Sequence, residues 1–329
     1  MMAGGVDTAA PMNSLLDPSI LFFVFGLLAG ALRSNLEIPP PISRFLSLYL
    51  LMALGLKGGF ALAHSGLNAE VVQSLACAVL LAIAVPALGY ALLRRWLNGF
   101  DAAAVAATYG SVSAVSFITA VQYTDNLGLA PGGHMAAAMA LMESPAIVMA
   151  VLLANWVRRQ QGAGAQATPL RTVLHESLTD GAQLLLLASM GVGLLTGAAG
   201  QKAMAPFSVD LFKGMLAFFL LDMGLLAARN APALRRASPW LIAYAVLGPL
   251  VHAGLALGLA AGAGLSSGNG ALLMVLAASA SYIAVPAVLR QAIPEAQPAL
   301  YFGLSLGLTF PFNILLGIPL YTAVAQRLL

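Results

Sequence analysis

Polar residues are sparse along this chain and gather in short clusters. Between them run apolar stretches of roughly 20 residues, the length a helix needs to cross a bilayer. The pattern predicts ten spans, at about 18–35, 42–63, 71–96, 101–123 and 133–157, then 181–199, 207–228, 239–263, 268–292 and 298–326. Five precede and five follow one polar segment, Arg158 to Asp180; every other connector is short and leaves no room for a separate soluble domain. The expectation is an all-α polytopic membrane protein with ten transmembrane helices, a first five-helix unit over 18–157, a cytoplasmic connector over 158–180, and a second unit over 181–327.

The basic residues give this pattern a direction. With the N-terminus on side one and strict alternation, side two receives Arg33, Arg44, Arg94, Arg95, Arg158, Arg159, Arg171, Arg229, Arg235, Arg236 and Arg290, and side one only Lys202 and Arg327. Positive charge accumulates on the cytoplasmic side, so side two is expected to be cytoplasmic and both termini outside. Composition agrees with a membrane-embedded chain: 60% of residues are hydrophobic and 8% charged, against roughly 25% charged in soluble domains. The net charge of +3 therefore carries no implication of nucleic acid. Cys77 is the single cysteine, which excludes an internal disulfide and a cysteine metal site. The tail before Pro18 has Asp7 and Asp17 but no Lys or Arg, so the first apolar run is expected to be retained rather than cleaved.

The two units also echo each other. Gly26-Leu27-Leu28-Ala29-Gly30 matches Gly193-Leu194-Leu195-Thr196-Gly197, Leu54-Gly55-Leu56 matches Met223-Gly224-Leu225, Ser111-Val112-Ser113 matches Ser279-Ala280-Ser281, and Pro145 matches Pro311. The offsets are 167, 169, 168 and 166. Because five spans is an odd number, the second copy must enter the membrane upside down. Inverted repeats are the plan of many secondary transporters, whose sites lie at the repeat interface near the bilayer midplane.

No enzymatic pattern is present: there is no phosphate-binding glycine loop, no metal-spaced histidine cluster and no nucleophile triad. His64, His134 and His175 fall at span edges or in connectors, and His252 reads as a hydrogen-bonded packing residue. The chemistry that remains is in two small, hydroxyl-bearing stretches, one per unit. The first holds Gly110, Ser111, Ser113 and Ser116; the second holds Ser279, Ser281 and Tyr282. Serines in lipid commonly bond back to their own helix or across to a neighbour. If these helices are interrupted, however, their half-helix N-termini present N–H groups to an anion. Pro286 is expected to help break span nine; span four has no proline.

Lys57, Glu143, Lys213 and Asp222 are ionisable residues within spans, where charge is costly and commonly functional. Lys213 and Lys57 lie toward span ends and can snorkel. Glu143 precedes Ser144-Pro145 and is expected beside a helix break. Asp222 is either a coupling carboxylate or the partner of Lys57. Glu143 and Asp222, with the neutral oxygens of Thr309 and Asn313, are the candidates for binding or coupling Na⁺. No other metal is expected.

At these residues the chain resembles the SbtA-type sodium-dependent bicarbonate transporters, over about Leu21 to Gln326. The resemblance is carried by Gly55-Leu56-Lys57-Gly58-Gly59, Gly110-Ser111-Val112-Ser113, Met142-Glu143-Ser144-Pro145-Ala146, Ala278-Ser279-Ala280-Ser281 and Ile318-Pro319-Leu320. It implies two inverted five-helix repeats, outward-facing termini, Na⁺-coupled uptake of bicarbonate or a similar small anion, and homotrimers in the bacterial inner membrane. It also implies substrate and sodium sites where the fourth and ninth helices meet, and no cofactor besides Na⁺ as coupling ion. The cyanobacterial members carry Asp at the position of Tyr282, Ser at Ala284 and Gly-Pro-Pro at Val285-Pro286-Ala287, so this chain represents a distinct branch. They bind a PII-like regulator; the short 158–180 connector does not imply that partner here. The alternative is the same architecture carrying a small organic carboxylate or another solute, coupled to Na⁺ or H⁺. A membrane-embedded sensor without net transport is the alternative class, against which the repeat argues.

Overall fold

The computed structural model describes residues 17–160, 169, 171, 175 and 179–329. Most of the 158–180 connector and the tail before Asp17 lie outside the described residues. Those described are mostly helical, with no strand among them. The first unit comprises α1 (Pro18–Ala31), α2 (Pro40–Ser65), α3 (Ala69–Leu93), α4 (Gly99–Gly110), α5 (Ala114–Asn126) and α6 (Met135–Gln160). The second comprises α7 (Gly181–Ala205), α8 (Phe212–Asn230), α9 (Pro239–Ala263), α10 (Ser267–Ala278), α11 (Ala284–Ala292) and α12 (Pro298–Leu328), the last containing two wide π turns at Ser305–Thr309 and Asn313–Gly317.

Local chemistry sets several of these boundaries. Asp17, Asn68, Asn98 and Asp180 each turn a side-chain oxygen onto the first free N–H groups of α1, α3, α4 and α7, caps worth about 1 kcal/mol apiece. Gly264 closes α9 in the left-handed conformation, φ 66°, which a side chain would resist. Pro86, Pro145 and Pro249 lie inside α3, α6 and α9, all of which continue past them. The break expected beside Glu143 is therefore absent. Tightly packed neighbours can re-satisfy the backbone group a proline frees, so the helix runs on.

Seven helical stretches are long and apolar enough to cross a membrane: 40–65, 69–93, 99–126, 135–160, 181–230, 239–263 and 298–328. Two shorter apolar helices, 18–31 and 267–278, accompany them. The chain is thus a multi-pass helical membrane protein. The count falls below ten for three physical reasons. α1 has only 14 residues. α10 and α11 are each too short alone. The stretch 181–230 counts once although the backbone leaves the helix within it, at Gly197 (φ 52°, ψ −138°), ahead of the π turn at Pro206–Asp210.

Packing divides the helices into two groups. α1 lies along α8 and α2 along α7, with α2 and α8 also in contact. α3, α4 and α6 pack on one another, α9 and α12 pack on α10, and α3 meets α9. The first group is held by glycine. A Cβ on Gly26 would collide with the Leu221 carbonyl, and one on Gly224 with the Phe23 carbonyl; Gly59 and Gly193 stand in the same relation across α2 and α7. Such contacts let backbones approach where lipid offers no hydrophobic drive. Gly26 meets Leu221 to Leu225 and Gly30 meets Leu225 to Ala228, so α1 and α8 run in the same direction; the contacts of Gly55 and Gly59 make α2 and α7 parallel too.

The ends of the bundle differ. At one end Arg229 donates to the Leu36 carbonyl at 2.8 Å, Arg158 pairs with Glu295 at 2.7 Å, and Arg94 lies over Tyr90 and Trp156. Trp96 and Trp240 stack there with centroids 5.7 Å apart. At the other end Lys213 donates to Asn126 at 3.2 Å, and Glu70 accepts from Ser266 N–H and Asn269.

Candidate functional site

Both serine stretches interrupt their helices. Between α4 and α5, Ser111 is extended (φ −96°, ψ −177°) and so is Ser113 (φ −98°, ψ 109°). Between α10 and α11 the non-helical run is Ser279 to Ile283, with Ser279 at φ −82°, ψ 164°. Pro286 follows the break, in the first turn of α11, where a missing N–H has no helical partner to lose.

The two interruptions meet. The Ser113 N–H donates to Ser279 Oγ at 3.0 Å, and the Ser281 N–H donates to the Thr108 carbonyl at 2.8 Å. Serine also caps α5, and a serine of the second interruption reaches the first turn of α11. Ser113 Oγ accepts from the Ser116 N–H at 3.2 Å and from the Ser116 hydroxyl at 3.1 Å. Ser281 Oγ accepts from the Val285 N–H at 3.3 Å. Ser279 Oγ, besides accepting from Ser113, donates to the Leu276 carbonyl at 2.9 Å. Gly110 is required by close approach, since a Cβ there would strike the ring of Pro86. The buried Ser111 hydroxyl has no partner among the described residues.

Beside this crossing lies a cavity of about 190 Å³. Its walls include Val112 to Val115 at the start of α5 and Ser281 to Ala284 at the start of α11, so two helix N-termini open onto one space. Each end carries roughly half a unit of positive charge from its unpaired N–H groups. The lining is completed by Glu143 on α6, by Asp180, Gln183 and Leu186 at the start of α7, and by Ser47 and Leu51 on α2. The cavity thus sits on the seam between the two helix groups. A vestibule of about 1100 Å³ adjoins it and shares Ser47, Asp180, Ala182, Tyr282 and Ile283. The vestibule lies at the arginine-rich end, where its walls include Arg44, Asn230 and Arg290.

The residues singled out in sequence therefore fall into four sets. Ser113, Ser281, Tyr282 and Glu143 line the cavity, while Ser116 and Ser279 brace the crossing behind it. Asp222 lines the vestibule, 4% exposed, with Oδ2 unpartnered. It does not pair with Lys57, whose Nζ lies over the Phe212 ring, 4.2 Å from its centroid; charge is there screened by an aromatic face instead. Thr309 and Asn313 line neither space. Thr309 Oγ1 donates to the Ala245 carbonyl at 2.7 Å and bonds Tyr109 OH at 2.6 Å. Asn313 Nδ2 donates to the Ala278 carbonyl at the end of α10, at 2.8 Å, and its Oδ1 accepts from Tyr321 at 3.0 Å. Both are committed to holding the half-helices. His252 is buried against Tyr244, but its Nδ1 has no hydrogen bond among the described residues, contrary to expectation.

Sequence reasoning missed Asp180 and Gln183. Asp180 reads as the last polar residue of a connector, and Gln183 as the first turn of an apolar span; only their helix-starting position carried any signal.

No curated protein matches the chain. The family model of the Na⁺-dependent bicarbonate transporter superfamily matches residues 18–326, nearly all of what the helices occupy, and together with the paired serine interruptions this makes the chain a transporter, not an enzyme, and a member of that superfamily.

Proposed function

We propose that the protein is a sodium-coupled symporter that takes up bicarbonate or a similar small anion, held in the cavity between the N-termini of α5 and α11. The carrying observation is that both half-helix starts open onto one space, each led by a serine. Unpaired N–H groups and hydroxyls suit a small oxyanion, and Glu143, which lines the same cavity, supplies a carboxylate for the coupling cation.

The chain crosses ten times, as two inverted five-helix repeats, with α4–α5 and α10–α11 as the interrupted crossings. Packing supports this. Exchanging the units sends the pair α2–α7 onto α8–α1, α3–α4 onto α9–α10, and α4–α6 onto α10–α12, and every one of these pairs is in contact. An upside-down copy also requires α2 to run parallel to α7, as it does. The arginine-rich end with its vestibule faces the cytoplasm and both termini face out, in a bacterial inner membrane, as homotrimers.

One Na⁺ moving with one bicarbonate carries no net charge. Such a cycle escapes the cost of about 2.3 kcal/mol per charge per 100 mV. Labelled bicarbonate is expected to enter proteoliposomes only on an inward Na⁺ gradient, regardless of imposed potential. Uptake unchanged in choline or potassium refutes the coupling. An organic carboxylate is favoured by one observation: about 190 Å³, walled largely by groups such as Leu51, Met139, Ile147 and Tyr282, is roomy for a four-atom anion. Competition of acetate-sized and larger carboxylates with bicarbonate separates the two cargoes.

A further inference from the structure

We infer that the coupling Na⁺ is bound on the seam between the two helix groups, by Glu143 of α6 with Asp180 and Gln183 of α7. This rests on the symport reading above and gives it a place. It is a site apart from the serine crossing, on residues that line the same cavity.

Three observations on three residues converge. Glu143 makes no hydrogen bond or ion pair with any described residue, and the charge that acts on it is Asp180, another carboxylate. Asp180 uses Oδ1 to cap α7, accepting from Ala182 and Gln183 N–H at 3.0 Å each, which leaves Oδ2 uncommitted. Gln183 is 8% exposed. Its Nε2 crosses the seam to donate to the Ala140 carbonyl at 2.7 Å, one helical turn before Glu143. That bond fixes the amide, and Oε1, buried without a partner, belongs to a side chain on the cavity wall. Two carboxylates and an amide oxygen, with no histidine or cysteine, are the donor set of a hard cation. The nearby cations do not serve. Arg158 is engaged by Glu295, Lys57 lies on Phe212, and Arg44 and Arg290, which share the vestibule with Asp180, make no ion pair with it or with Glu143 among the described residues. Two carboxylates facing one largely apolar space repel, and an unpaired buried amide oxygen is costly; one Na⁺ relieves both.

The location gives coupling a physical form. The ion touches both helix groups at once, so its binding depends on how they are placed. It also shares a small space with the anion, so each lowers the electrostatic cost of the other.

The test uses purified full-length protein in detergent, without added bicarbonate, melted across sodium gluconate with potassium gluconate holding ionic strength constant. Wild type is expected to gain melting temperature with Na⁺ and saturate. Asp180→Asn, which keeps the helix cap because Asn caps as well as Asp, is expected to melt normally in potassium and to need at least tenfold more Na⁺ for half-saturation. Glu143→Gln is expected to lose the Na⁺ response. If wild type responds and both variants keep its half-saturation, Na⁺ binds elsewhere and this site falls while sodium coupling stands. If wild type ignores Na⁺, both fall. If melting follows pH but not Na⁺, the group binds a proton and the inference is overturned.

Discussion

Removing the Ser279 hydroxyl tests the crossing directly. Its oxygen accepts from the opposite interruption, taking the Ser113 N–H at 3.0 Å in a position 1% exposed. Ser279→Ala leaves that N–H without its acceptor. A buried donor left unpaired costs about 1–3 kcal/mol, while hydrogen bonds inside membrane proteins average about 0.6 and reach about 1.7. The Ser281–Thr108 bond remains, so the crossing loosens without separating, and a cost of about 1–1.5 kcal/mol is expected. Because Ser113 starts α5 beside the cavity, that cost falls on the anion site. It corresponds to roughly five- to tenfold weaker binding, at 1.4 kcal/mol per factor of ten. The control is Thr119→Val. Thr119 is also buried and donates at 2.8 Å, but to the Val115 carbonyl of its own helix, and its loss strands no donor. Its effect should stay within about 0.5 kcal/mol. Equilibrium binding of labelled bicarbonate at fixed pH, with melting curves alongside, compares the two. Wild-type affinity in Ser279→Ala, or equal losses in both variants, refutes the reasoning.

Two further predictions concern the scaffold. Gly26→Val forces a side chain against the Leu221 carbonyl and should cost at least the 1–3 kcal/mol or so typical of overpacking, read as lost monodisperse protein or a lowered melting point. Gly254→Ala, in open space on α9, should be neutral or gain up to about 1 kcal/mol from helix propensity. Arg158 beside Glu295 holds that carboxyl below the usual carboxylate range. A lowered folded pKa means the pair stabilises above the unfolded value, about 4.3, and is lost as pH falls through the folded one. Between pH 5 and 3 the melting point of wild type should therefore drop more than that of Glu295→Gln; parallel curves refute this.

The helices were legible because lipid leaves so little choice. With no water to satisfy backbone groups, apolar runs must be helical, and 239–263 and the start at Pro298 fall where hydropathy and a proline at the first turn place them. The interruption at Ser111–Ser113 was legible only through its echo at Ser279–Ser281, since no proline marks it. Pro145 misled, because a proline inside a packed bundle need not end a helix. Thr309 and Asn313 have the right atoms for an ion, but their contacts come from α9, α4, α10 and their own helix, and no local pattern shows which partner a side chain will find. Asp180 and Gln183 matter through what stands opposite them on α6, a relation that exists only once the chain is folded.

All three tryptophans of the chain, Trp96, Trp156 and Trp240, gather at the arginine-rich end, stacked or edge-on to Tyr90 and to one another. The opposite end has none. Indole emission from this protein therefore comes from a single leaflet, with two of the three rings in one stack. An impermeant quencher such as iodide, added outside sealed vesicles, will dim only those molecules inserted with that end outward. The same light supplies a label-free count of insertion direction for every flux measurement made on the protein.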